Sequence, residues 1–68
     1  MRQTIYQVMV DLPEQFREPV ILRYVEELSY KEIATRLDLP VSTIETRLYR
    51  GRQLLQEKLS QYVGRRRR

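Results

Sequence analysis

Residues 29–52, SYKEIATRLDLPVSTIETRLYRGR, decide how the whole chain is read. Ser29-Tyr30-Lys31-Glu32 places a glutamate three residues after a serine. In that pattern each side chain accepts from the other residue's otherwise unpaired backbone N–H at a helix start. Ile33, Ala34 and Leu37 then recur at the spacing of one helical face. Ala34 is expected at a crossing point, where a larger side chain would hold two helices apart. Asp38-Leu39-Pro40 reads as a tight turn, with Asp38 in the left-handed conformation that aspartate tolerates better than most residues. Ser42-Thr43-Ile44-Glu45 repeats the capping pattern. A second helix is therefore expected from Ser42, with Glu45 serving mainly as part of its cap. A short helix, a turn and a longer helix with Arg47, Arg50 and Arg52 on its outer side is how a small protein sets a helix into the major groove of DNA.

The longer helix sorts cleanly into sides when stepped at ~100° per residue. Ile44, Leu48, Gly51 and Leu55 point inward, and the stripe continues through Leu59 and Tyr62. Ser42, Thr46, Tyr49, Arg50 and Gln53 point the other way, with Thr43, Glu45, Arg47 and Arg52 on the flanks. The outward set is polar and short near the helix start, as the approach to base edges requires. The arginines suit phosphates or the acceptor edge of guanine, and the residues alone leave both roles open. Ser42 and Thr46 can meet bases or phosphates, and Glu45 can accept from cytosine. Lys31 is placed to hold the DNA backbone, or is a plain surface lysine. Tyr30 is expected to pack against the motif. A solvated charged surface is the bland reading of this face. The adjoining turn and short helix with Ala34 at the crossing weigh against it.

Outward from this motif the chain is helical as well. Arg2 to Val10 carries Ile5, Val8 and Met9 at three- and four-residue steps, which predicts one short amphipathic helix. Asp11-Leu12-Pro13-Glu14 resets the chain, and proline followed by an acidic residue opens a second helix over about Pro13 to Val25. Its candidate buried residues are Phe16, Val20, Ile21, Tyr24 and Val25, and Pro19 inside it predicts a kink but not a break. Glu26-Glu27-Leu28 connects it to the motif. The last helix is expected to end at Gly64, so that Ser42 to Val63 would span roughly 30 Å. The expected class is all-α: a small four-helix domain over residues 1–64 with a helix-turn-helix and a long C-terminal recognition helix, followed by a basic tail at 65–68.

Composition limits the function. The chain has no cysteine and no histidine, which removes thiol chemistry, disulfides, the usual zinc ligands and the commonest general base. No catalytic residue, metal, cofactor or enzymatic activity is expected. The absence of cysteine fits a reducing cytoplasm, and no run of residues has the length or apolarity of a membrane span. Residues 1–40 hold five Lys/Arg against seven Asp/Glu, a balance of −2. Residues 41–68 hold eight against two, a balance of +6, and Arg65 to Arg68 supply four of those charges. Without them the second half is still +2. A one-sided positive field is what a polyanion partner calls for.

These residues resemble a known family. Leu12 to Leu55, LPEQFREPVILRYVEELSYKEIATRLDLPVSTIETRLYRGRQLL, is similar to region four of bacterial sigma factors of the extracytoplasmic-function type. The most specific segments are LPE at 12–14, SYKEIA at 29–34 and LPVSTIETRLYRGR at 39–52. The resemblance from Leu12 to Leu55 covers about two thirds of the chain, and Arg2 to Val10 fits the short preceding helix. The resemblance implies a four-helix domain whose last helix enters the major groove of the promoter's minus-thirty-five element. It also implies docking on the beta-subunit flap of RNA polymerase, occlusion by an anti-sigma factor, and a longer protein of which this is a C-terminal piece. Carried over by position, groove-reading residues fall at Glu45, Thr46, Tyr49 and Arg50. Backbone contacts fall at Thr43, Arg47, Tyr30 and Lys31. The chain departs from the pattern in four places. Glu45 stands where a basic residue is usual, Gly51 where alanine is typical, and Glu27 and Asp38 where glycines stand. Gly51 costs about 1 kcal/mol of helix propensity, and the two glycine replacements are expected to strain their turns.

Two other readings compete. A LuxR-type response-regulator output domain is also four-helical, but those usually carry a histidine after the threonine-valine pair of the recognition helix, whereas here Thr46-Arg47 follows. A polymerase-binding or anti-sigma-binding module that never touches DNA would have no use for the arginine face.

Overall fold

The computed structural model describes the backbone of residues 2–66 and the side chains of residues 5–60. Four helices follow one another: α1 (Arg2–Val10), α2 (Glu14–Tyr24), α3 (Tyr30–Leu37) and α4 (Val41–Arg66). Among the described residues there is no strand, as the all-α reading requires. α4 is the common support, since α1, α2 and α3 each pack against it.

The core is made by Met9, Leu12, Val20, Leu22, Ile33, Ala34, Ile44 and Leu48, all buried. Phe16, Ile21, Leu28, Tyr30, Leu37, Leu39, Leu54 and Leu55 pack around it. Three of these leucines, Leu12, Leu28 and Leu39, lie in the connectors, so every turn is pinned to the core by one apolar side chain. A chain this short has little apolar surface to spare, and such pins matter.

α2 starts one residue later than expected. Pro13 is its N-cap, and its carbonyl accepts from Phe16 N at 2.9 Å and Arg17 N at 2.8 Å. The helix continues unbroken through buried Pro19. The carbonyl that a proline cannot serve belongs to Gln15, an exposed residue with access to water. The expected inner face of α2 needs correction. Tyr24 and Val25 are exposed, at 47% and 49%, whereas Leu22, which was not expected inside, is buried. α2 touches three other helices, and its apolar residues are spread around the axis between charged ones, so no single stripe marks its buried side.

The α3 start is as the sequence predicts. Glu32 N donates to Ser29 Oγ at 3.0 Å, and Ser29 N donates to Glu32 Oε1 at 2.8 Å. At its end Asp38 adopts φ 58 and ψ 48, the expected left-handed cap. Leu39 N donates to Ala34 O at 3.0 Å and Asp38 N to Thr35 O at 3.3 Å, the paired closure of a Schellman turn. Glu27, with φ 61, is the second residue in this conformation. Both expected glycine replacements therefore stand in backbone that glycine adopts freely and other residues adopt at a cost. Arg23 braces the Glu27 connector from outside. Its Nη1 donates to Leu28 O at 2.9 Å, and its guanidinium lies 5.5 Å from the Tyr30 ring centroid.

Two expectations for α4 are overturned. The helix begins at Val41, not Ser42, because the Pro40 carbonyl already accepts from Thr43 N at 3.0 Å and Ile44 N at 3.2 Å. Ser42 is thus inside the first turn, and the second capping box does not form. The helix also runs past Gly64 to Arg66, since Gly64 takes no left-handed turn. Arg67 and Arg68, the end of the predicted tail, lie outside the described residues, as do the side chains of Tyr62, Arg65 and Arg66.

α2 and α4 approach closely at Gly51. A Cβ placed there would sit 2.6 Å from Val20 Cγ2 and 3.6 Å from Phe16 Cβ. Gly51 therefore sets the spacing of two helices, beyond its cost in helix propensity.

Candidate nucleic-acid interface

The buried side of α4, Ile44, Leu48 and Gly51, fixes what the opposite side presents. Ser42, Glu45, Thr46, Tyr49, Arg50, Arg52 and Gln53 are all exposed, and Tyr49 reaches 62%. Thr43 and Arg47 are half-buried on the flank toward α2. The sequence-derived face is therefore a real face of the molecule. Its members divide, however, between two sides of the helix.

One group converges. Ser42, Thr43, Thr46, Arg47 and Arg50 line a shallow hollow of about 410 Å³ together with Gln15 and Phe16 from the start of α2. Hydroxyls, two guanidiniums and an amide here surround a space open to solvent. The guanidiniums, the amide and the Ser42 and Thr43 hydroxyls are donors suited to phosphate oxygens. Glu45 and Arg52 lie on the other flank, about 20° apart by helical stepping. Lys31 is exposed and lines a separate hollow with Ala34, Thr35, Asp38, Leu39, Pro40 and Val41, on the α3 side of the motif. Tyr30 is half-buried, packs on the core and lies under Arg23, in agreement with a packing role.

Gln15 was missed by the sequence reading. It lies outside the motif and within no periodic pattern, and only the α2–α4 crossing at Gly51 brings it beside Arg47. Arg17, the one arginine in the first half of α2, by contrast faces elsewhere. Arg17 lines a hollow with Glu18, Ile21, Leu22, Arg36 and Leu37.

Local hydrogen bonds define what each side chain still offers. Thr46 Oγ1 donates to Ser42 O at 3.1 Å, so its hydroxyl hydrogen is engaged within the helix. What remains to a ligand is the hydroxyl's acceptor capacity and the methyl group. Gln53 Nε2 donates to Tyr49 Oη at 3.4 Å, a long contact that steadies an exposed ring. Glu45, expected to close a cap, forms no side-chain hydrogen bond among the described residues, because Ser42 is already helical. The charges of this face are uncompensated. Among the described residues the one ion pair is Arg36–Glu26, at 3.9 Å between exposed side chains. No helix among the described residues is long and apolar enough to cross a membrane.

Comparison with known proteins agrees with this geometry. A family model for Sigma-70, region 4 matches residues 2–55, which include α1, α2, α3 and the first half of α4. The ECF RNA polymerase sigma factor SigW of Bacillus subtilis (strain 168) is 41% identical over 59 residues, covering 87% of this chain and 32% of that protein. The ECF RNA polymerase sigma-E factor of Escherichia coli (strain K12) is 35% identical over 65 residues, covering 96% of this chain and 34% of that protein. The same figures hold for the sigma-E factor of Salmonella typhi. The chain spans about a third of the length of the curated relatives it matches. A helix-turn-helix whose reading helix is exposed and basic, matched over most of its length, fixes the assignment: the chain belongs to the Sigma-70 region 4 family of the ECF sigma factors.

Proposed function

We propose that this domain recognises the upstream, minus-thirty-five element of promoters by inserting α4 into the major groove, as part of a sigma factor acting with RNA polymerase in the cytoplasm. The observation that carries the reading is the exposed face of the first turns of α4, held by a core that occupies its other side completely. Thr46, Tyr49 and Arg50 point toward base edges. Ser42, Thr43 and Arg47, joined by Gln15, grip the backbone on the α2 flank, and Arg52 and Lys31 do so on the other. Tyr30 acts by positioning the start of α3. No step of chemistry is involved, and the domain contributes position alone.

Exposed apolar side chains at Ile5 and Tyr6 of α1 and at Tyr24 and Val25 at the end of α2 support contact with a protein partner. The beta-subunit flap of polymerase is the partner the family implies, and an anti-sigma factor would compete for such surfaces. A reading without DNA leaves the uncompensated arginines unexplained, because burying them against protein would require matching acids.

The test is fluorescence anisotropy with duplexes selected from a promoter library, over a range of salt. Neutralising about five phosphates gives a slope of log K against log salt of about −4 to −5. A flat response once residues 65–68 are removed would refute DNA binding by the folded face.

A further inference from the structure

We propose that Glu45 makes this chain demand a cytosine at one position of its element, an inference that rests on the DNA reading above. Its basis is the corrected start of α4. The Pro40 carbonyl collects the first amides, Ser42 is already helical, and Glu45 is left with no capping task. Its side chain is exposed, and among the described residues it takes part in no hydrogen bond or ion pair. It stands three residues after Ser42 and four before Tyr49, within about 60° of both around the helix. Glu45 thus stands on the flank beside Tyr49, at the edge of the face turned to the groove.

An ionised carboxylate accepts hydrogen bonds and donates none. In the major groove it is repelled by guanine N7 and O6 and by thymine O4. The donors available there are the N4 amine of cytosine and the N6 amine of adenine. Adenine presents its amine beside the N7 acceptor, which repels the second carboxylate oxygen. Cytosine presents its amine beside a C–H, which does not. A base that offers only acceptors to Glu45 leaves its carboxylate desolvated and unpaired, so a mismatch is penalised as well as a match favoured. Specificity of this kind comes from exclusion.

The experiment uses the 68-residue chain and four duplexes that differ only at the base pair nearest Glu45 in the selected element. The parent should prefer cytosine about ten-fold, and Glu45→Ala should hold the four within two-fold. Glu45→Gln should move the preference toward adenine, whose edge glutamine pairs with both of its groups. Thermal unfolding of Glu45→Ala should match the parent. A base ranking that survives in Glu45→Ala, or a clear drop in its unfolding temperature, would overturn this inference while leaving the DNA reading intact. A parent that ranks no duplex by sequence would overturn both.

Discussion

Substituting Gly51 tests how closely α2 and α4 are set. In an isolated helix Gly→Ala stabilises by about 1 kcal/mol. Here the new Cβ would lie 2.6 Å from Val20 Cγ2, well inside ordinary contact. Val20 is fully buried and, being β-branched in a helix, has essentially one rotamer. It cannot rotate away, so α2 itself must shift. Overpacking of this kind costs about 1–3 kcal/mol. Set against the propensity gain, Gly51→Ala should destabilise the domain by about 1 kcal/mol, or about 4–8 °C in unfolding temperature for a domain of this size. The sign should reverse where Val20 is already alanine. There the added methyl fills vacated space, and Val20→Ala/Gly51→Ala should be about 1 kcal/mol more stable than Val20→Ala alone. Urea denaturation of the four proteins closes the cycle, with an expected coupling of about 2 kcal/mol. A stabilising Gly51→Ala in the parent, with no coupling to Val20, would refute the close crossing.

Other outcomes follow from features already described. Glu27→Gly should stabilise by about 1 kcal/mol and Asp38→Gly by about half of that, since both release left-handed backbone and aspartate suffers less there. Unfolding in urea measures both, and destabilisation in either would contradict the strain. Ser29→Ala should cost about 1 kcal/mol through the lost cap. Ser42→Ala should cost almost nothing in the absence of DNA, because no cap exists there to lose. In binding, Arg50→Ala should weaken the selected element by ~1–3 kcal/mol and random duplex much less. Gln15→Ala and Arg47→Ala should weaken both duplexes alike, and only the arginine variant should lower the salt slope, by about 1. Equal losses on the two duplexes for Arg50→Ala would make it another backbone contact.

The legible parts of this fold are those decided by short-range chemistry. The Ser29–Glu32 cap, the left-handed Asp38 and the buried side of α4 each depend on residues within a few positions of one another. The same local pattern at Ser42–Glu45 misleads because Pro40 precedes it. A helix begins at the first carbonyl that captures amides three and four residues on, and Pro40 does so before Ser42 can. The burial of Leu22 in place of Tyr24 and Val25 is a tertiary outcome. The apolar residues of α2 are scattered around its axis, and only its three neighbours decide which of them are covered. Gln15 is of the same kind, joined to the exposed face of α4 by a crossing whose one sequence trace is a glycine. Gly64 shows the reverse limit. A residue able to end a helix does so only where the following chain turns, and here it continues.

That one continuous helix is both the scaffold of the core and the surface turned to solvent has a thermodynamic consequence. Folding and ligand binding are linked through α4, so a duplex that engages it adds to the stability of all four helices at once. At a duplex concentration 100 times the dissociation constant this amounts to about 2.7 kcal/mol, a large share of what a 68-residue chain can hold. The backbone amides of Ile33 and Val20, far from any phosphate, should then exchange with solvent about a hundred-fold more slowly when DNA is present. Occupancy of the groove becomes readable from the deepest point of the core.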